Sequence, residues 1–177
     1  MVHDMKTFAL WAAAIAINVA GLAGYSYLSP AEPYPGFSEA MAYAGVDVSY
    51  QSSFGSTARQ FCKEHKGHLG VFFPTTAQMF ICDTRSKQSS ILERTLSHET
   101  AHVLQWCLAG KPEDTALASL GRPDGGFSNA AVNYGMSLAI ENPGIPASHI
   151  RLEIEAEHFG NTVSVEKAID RVYEVCE

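Results

Sequence analysis

"SSILERTLSHETAHVLQWCLAG", Ser89 to Gly110, is the stretch on which the fold turns. It reads as one long helix, about Ile91 to Ala109. Ser90 with Glu93 three residues on has the form of a capping box, and Gly110 follows the last apolar turn as a stop. Leu92, Leu96, Val103 and Cys107 fall on one side of that helix. His98 and His102, four apart, share the other side, with Thr95 and Gln105 placed to line a cleft. Two imidazoles one turn apart can aim at a single ion, at Zn–N distances of about 2.0–2.1 Å. Glu99 lies about 100° round from His98. From there it can take a proton from a water at the ion and return it to a leaving amine. The spacing His-Glu-x-x-His is what zinc-assisted hydrolysis requires; the competing reading is a pair of surface histidines.

Two histidines do not make a catalytic zinc site, which takes a third protein ligand and keeps one position open. The third ligand is sought in "HIRLEIEAEHFGN", His149 to Asn161, within a helix expected from Ala147 to Gly160. Glu153 and Glu157 share a face with Ala156 and Gly160, small residues that let this helix approach another backbone closely. That assigns Glu153 to the metal. Glu157 becomes the carboxylate that orients a ligand histidine by accepting its other N–H. Glu155 points roughly the opposite way, with Arg151, His158 and Phe159, and reads as a solvated charge. An acidic helix surface is the alternative for the whole cluster. Tyr134, His149 and His158 are the candidates for stabilising an oxyanion, with ordinary packing or exposure the plainer reading of each. His65 and His68, three apart beside Cys62, read better as loop residues than as a second metal site.

"HETAH" (98–102), followed some fifty residues later by "EIEAE" (153–157), resembles the gluzincin branch of the zinc metallopeptidases. The pattern there is HExxH, then Glu-x-x-x-Asp/Glu on a second helix. The text is especially similar to the integral-membrane and membrane-associated peptidases of that clan. The resemblance implies zinc on His98, His102 and Glu153, Glu99 in catalysis, Glu157 bracing a histidine, and a small sheet packed beside the active-site helix. It covers Gln78 to Ala109 and Ser148 to Asn161. It departs at Glu157, where many relatives carry Asp. The longer metzincin signature is absent, because Gln105 and Leu108 stand where its glycine and third histidine would be.

Around these two helices the chain reads as α+β and zincin-like. Leu69 to Pro74 and Gln78 to Asp83 are short, β-rich apolar runs that suggest a hairpin. Helices are expected at Phe54 to Lys66 with Gly67 as C-cap, at Pro112 to Leu120, at Asn129 to Ile140, and at Ser164 to Cys176 with Ser164 as N-cap. Residues 1–28 contain Phe8 to Leu28, 21 residues with Asn18 as the one strongly polar side chain. That is long enough to span a bilayer, and it is either a retained anchor or a signal segment opened by Lys6. "SPAEPYPGF", residues 29–37, is a stiff Pro-rich linker, and 38–177 forms the domain. The charge asymmetry about the apolar segment places the domain outside the cytoplasm, membrane-anchored or, after cleavage, secreted.

Four cysteines suit that compartment. Their positions favour Cys62–Cys82 and Cys107–Cys176, with buried free thiols as the alternative. A net charge of −7 without any run of Lys or Arg argues against nucleic acid as a partner. The function expected is a zinc-dependent hydrolase cleaving peptide bonds, with a peptide or protein as substrate. A non-catalytic binding or assembly module on the same fold is the second reading, though a scaffold has no need of Glu99. A purely structural metal site is disfavoured because three protein ligands leave a position open.

Overall fold

A computed structural model describes residues 34–53, 55–84 and 88–177. Among these the chain is α+β, with six helices and a three-stranded sheet. The elements are α1 (Phe37–Ala44), β1 (Asp47–Tyr50), α2 (Thr57–Glu64), β2 (Gly70–Phe73), β3 (Gln78–Ile81), α3 (Ser89–Leu108), α4 (Asn129–Glu141), α5 (Ala147–Thr162) and α6 (Val165–Val175). The anchor or signal segment and most of the linker lie outside the described residues. Among those described, no helix is long and apolar enough to cross a membrane.

The histidine helix α3 is the centre of the domain, packing against α5, α6 and β2. Its stop is the expected one. Gly110 takes φ 83°, its N–H bonds to the Cys107 carbonyl at 2.9 Å, and the Lys111 N–H closes onto the Trp106 carbonyl at 2.9 Å. This pair of bonds satisfies two carbonyls the helix end would leave orphaned. Its start differs from expectation. The helix begins at Ser89 with Gln88 as N-cap and no side-chain cap bond. Ser90 is therefore the second helical residue, and the capping box is not formed.

The expected hairpin is present, with β2 antiparallel to β3 and Val71 opposite Phe80. A strand not anticipated from the sequence, β1, lies parallel to β3 on its other side, with Val48 opposite Met79. The order β1-β3-β2 leaves β2 as an edge. Met79 and Ile81 of β3 pack with Leu92, Leu96 and Val103 of α3, Phe37 and Met41 of α1, and Val165 and Val172 of α6. Each such side chain contributes about 1.5–3 kcal/mol by leaving water. The apolar side expected of α3 is therefore core.

Both disulfides are those expected. Cys62–Cys82 joins α2 to the end of β3, and Cys107–Cys176 ties the end of α6 to the last turn of α3. Two such bonds point to an oxidising, extracytoplasmic compartment.

Three other expectations are corrected. α1 was not anticipated, although Phe37, Ala40, Met41 and Ala44 are buried at helical spacing. α2 is shorter than expected, and His65 rather than Gly67 is its C-cap. No helix forms over Pro112 to Leu120. In that segment the Trp106 indole N–H donates to the Pro112 carbonyl, and the Ala118 N–H donates to the Gln105 carbonyl. The Leu120 N–H goes to the Glu155 carboxylate. Backbone groups a helix would pair internally are spent on α3 and α5 instead.

Candidate metal centre

The site begins with a close approach of two backbones. A Cβ added at Gly160 of α5 would stand 3.0 Å from the Arg94 carbonyl oxygen and 3.1 Å from the His98 Cβ of α3. With Ala156 also buried, α5 lies directly on the histidine turn of α3. Small residues on this face permit the contact, as their spacing suggested.

That approach brings Glu153 to both histidines. Its Oε2 lies 3.7 Å from His98 Nε2, and its Oε1 lies 3.6 Å from His102 Nε2. These separations are too long for hydrogen bonds. The three prospective ligand atoms lie within 4.8 Å of one another, so His98, His102 and Glu153 form a group that could hold a metal ion. Atoms held 2.0–2.2 Å from a tetrahedral zinc stand about 3.3–3.6 Å apart. The two nitrogen–oxygen separations stand at or just beyond that range, and two imidazoles with one carboxylate suit that ion.

Electrostatics in the metal-free cluster follow from this crowding. Burial pushes the Glu153 carboxyl up, but His102, His98 and His149 around it outweigh that and hold it at about 2. Burial opposes charge on His102, yet Glu153 and then Glu99 raise it to about 9. Glu157 sits at the other nitrogen of His98, its Oε2 3.4 Å from Nδ1. Arg94 donates to it at 2.6 Å and the Asn161 amide at 2.9 Å. Burial would raise the Glu157 carboxyl; His98, Asn161 and Arg94 together bring it below its ordinary range.

Glu99 faces β2 and is 6% exposed. The Cys82 N–H bonds to the Leu69 carbonyl, so the two-residue alternation of the antiparallel ladder turns Val71 and Phe73 towards β3. Gly70 and Phe72 then turn their backbone groups to the open edge, where the Phe72 N–H meets the Glu99 carboxylate. Glycine is required at position 70: a Cβ there would fall 2.8 Å from Glu99 Cγ and 2.9 Å from its Oε1. Burial pushes the Glu99 carboxyl up, against the opposing pull of His98 and His102.

Of the three oxyanion candidates, two border this group. The Tyr134 ring stands 6.2 Å from that of His98; burial and the neighbouring carboxylates of Glu153, Glu157 and Glu99 push its phenol up. His149, more than half exposed, has Nε2 3.6 Å from Glu153 Oε1. His158 is turned elsewhere: its Nδ1 accepts the Ser128 N–H at the start of α4. His65 and His68 pack with Phe61 on the α2 side of the sheet, away from the cluster.

Three residues near the site depart from their sequence reading. Gln105 is fully buried, and Thr95 is 7% exposed with its hydroxyl donating to the Ile91 carbonyl, so neither lines an open cleft. Glu155 is 2% exposed rather than solvated, because the segment after α3 covers it. A glutamine three residues after a ligand histidine was the available signal for the first.

No protein-family model, no curated protein and no solved structure matches this chain.

Proposed function

We propose that the chain is a zinc-dependent metallopeptidase of gluzincin type acting in an extracytoplasmic compartment. The observation that carries this reading is the convergence of His98, His102 and Glu153, with Glu99 held beside them on the open edge of β2. Zinc bound by the three ligands supplies a Lewis acid that brings the pKa of water towards neutrality and polarises a carbonyl. Glu99 takes the proton of the attacking water on its carboxylate and delivers it to the leaving amine. The Phe72 N–H lies beside that carboxylate, and burial makes it a stronger base than a free glutamate. Glu157 holds His98 by its Nδ1 side. The outward backbone groups of Gly70 and the Phe72 carbonyl have no strand partner among the described residues and would pair with an extended peptide laid along β2. Tyr134 and His149 are the donors nearest the Glu153 end of the site.

The test is Glu99→Gln in the zinc-loaded chain, assayed on an unfolded protein substrate. Retained zinc with cleavage reduced about 10²–10⁴-fold is the result expected of a lost general base. If wild type binds zinc and extended peptides yet cleaves none, and Glu99→Gln changes nothing, the chain is instead a binding module on the same scaffold.

A further inference from the structure

We infer that Gln105 and Glu155 form a positioning chain that sets which nitrogen of His102 faces the metal and ties segment 109–128 to it. The inference rests on the reading of His98, His102 and Glu153 as ligands.

Gln105 lies fully buried, three residues after His102 on α3. Its side-chain oxygen stands 2.9 Å from His102 Nδ1. Its amide nitrogen donates to the Leu152 carbonyl at 3.1 Å and to Glu155 Oε2 at 3.3 Å. A carbonyl and a carboxylate only accept, so the amide has one satisfactory orientation, nitrogen towards them and oxygen towards His102. An oxygen facing Nδ1 requires a hydrogen on Nδ1. With Nδ1 so protonated, the second proton of the ring can sit only on Nε2, and a metal that takes that proton's place meets the Nε2 lone pair. That nitrogen is the one 3.6 Å from Glu153 Oε1, aimed into the ligand set.

Glu155 holds the glutamine in this pose. Besides Gln105, its carboxylate accepts from the Ser119 hydroxyl, from the Leu120 N–H at 2.8 Å and from Arg151 Nε at 3.2 Å. A buried carboxylate is costly unless so compensated. No step of the proposed hydrolysis uses it. Two of its donors belong to the segment between α3 and α4, so the same group that orients Gln105 also fastens that segment over α5. His98 leans on a carboxylate, Glu157, and His102 on a neutral amide; both histidines are oriented with one outer negative charge rather than two.

The test uses the full 177-residue chain, ¹⁵N-labelled at histidine and loaded with zinc. Nuclear magnetic resonance of wild type should show His102 protonated at Nδ1, in slow exchange with water, and metal-bound through Nε2. The opposite tautomer overturns the inference without any variant. Gln105→Leu should weaken zinc binding about 10–100-fold in chelator competition. The metal-free protein should melt lower, because the Leu152 carbonyl and Glu155 each lose a donor, and the Nδ1 proton should fall into rapid exchange. Glu155→Gln should weaken zinc in the same direction. Combined with Gln105→Leu, it should add nothing further, because both act through one chain. If Gln105→Leu binds zinc within twofold of wild type while His98→Ala loses it, the metal reading stands and the positioning chain falls. Wild type that takes up no zinc overturns both. If Gln105→Leu does not fold, the wild-type tautomer decides.

Discussion

Gly160→Ala puts the α3–α5 contact to a quantitative test. A methyl group there starts 3.0 Å from the Arg94 oxygen, 3.1 Å from His98 Cβ and 3.3 Å from His98 N. Contacts this close are tighter than side-chain carbons ordinarily make, so α5 has to retreat by a few tenths of an ångström at this level. The neighbours are backbone and a Cβ, which cannot swing aside as a long side chain would. Glu157 lies three residues away, about 4.5 Å along the axis, and Glu153 seven residues, about 10 Å. A stiff helix carries much of the shift to both carboxylates. The His98–Glu157 separation, already 3.4 Å, would open further. Metal geometry tolerates only about 0.2 Å. Zinc affinity should fall about 10–100-fold, the range for losing an outer partner of a ligand histidine. Stability is a contest. Overpacking costs about 1–3 kcal/mol, while alanine in a helix regains up to about 1 kcal/mol over glycine. The metal-free variant should therefore be destabilised by about 0–2 kcal/mol. Chelator competition and urea unfolding measure the two quantities. A variant more stable than wild type with unchanged zinc affinity would show that helix propensity wins and that α5 is not pressed on α3 as described.

Gly70→Ala should act on the other side of the site. The atoms nearest the added methyl belong to Glu99 and Thr95 rather than to a ligand, so zinc should be retained while cleavage falls about 10²-fold, the effect of misplacing a catalytic group by about 1 Å. Replacing Cys107 and Cys176 by alanine removes a cross-link spanning 69 residues and should lower stability by about 4 kcal/mol, against about 3 kcal/mol for the 20-residue Cys62–Cys82 loop. Urea unfolding of the two double variants checks the order. In the metal-free protein, His102 is raised from 6.5 to about 9. Its contribution to stability is thus complete below about 6.5 and lost as pH rises through about 9. Glu153, lowered to about 2, contributes above about 4.5 and ceases to as pH falls through about 2. Metal-free stability from this pair should therefore plateau between about pH 4.5 and 6.5. Saturating zinc should abolish the alkaline decline, because His102 then carries metal in place of the proton.

The parts legible in the sequence were those in which a residue's neighbours lie within two helical turns. His98, Glu99 and His102, the small face of α5 at Ala156 and Gly160, and the Ser164 cap of α6 are all local patterns, and the structure places them as their spacing suggested. The hairpin was readable because β2 and β3 adjoin. β1 was not, since a four-residue strand whose parallel partner begins 31 residues on has no local signature. The face of Gln105 and Glu155 was misread for a related reason. Helical periodicity says which residues share a side, not whether something covers it, and here the cover is irregular chain from Ala118 to Leu120. The failed helix at Pro112 to Leu120 is the same event seen from the covering segment, whose backbone donors were claimed by α3 and α5. α1 was missed with less excuse, because glycines 36 and 45 in the left-handed region bracket an apolar spacing of 37, 40, 41 and 44.

The measurement that tests the central claim most directly is the metal content of the purified chain, after exposure to zinc, for wild type, His98→Ala and Glu153→Ala. The account predicts about one zinc per chain in wild type and sharp loss in both variants. Zinc retained by Glu153→Ala would contradict the three-ligand site, and wild type without zinc would leave His98, His102 and Glu153 as no more than an ion-paired cluster.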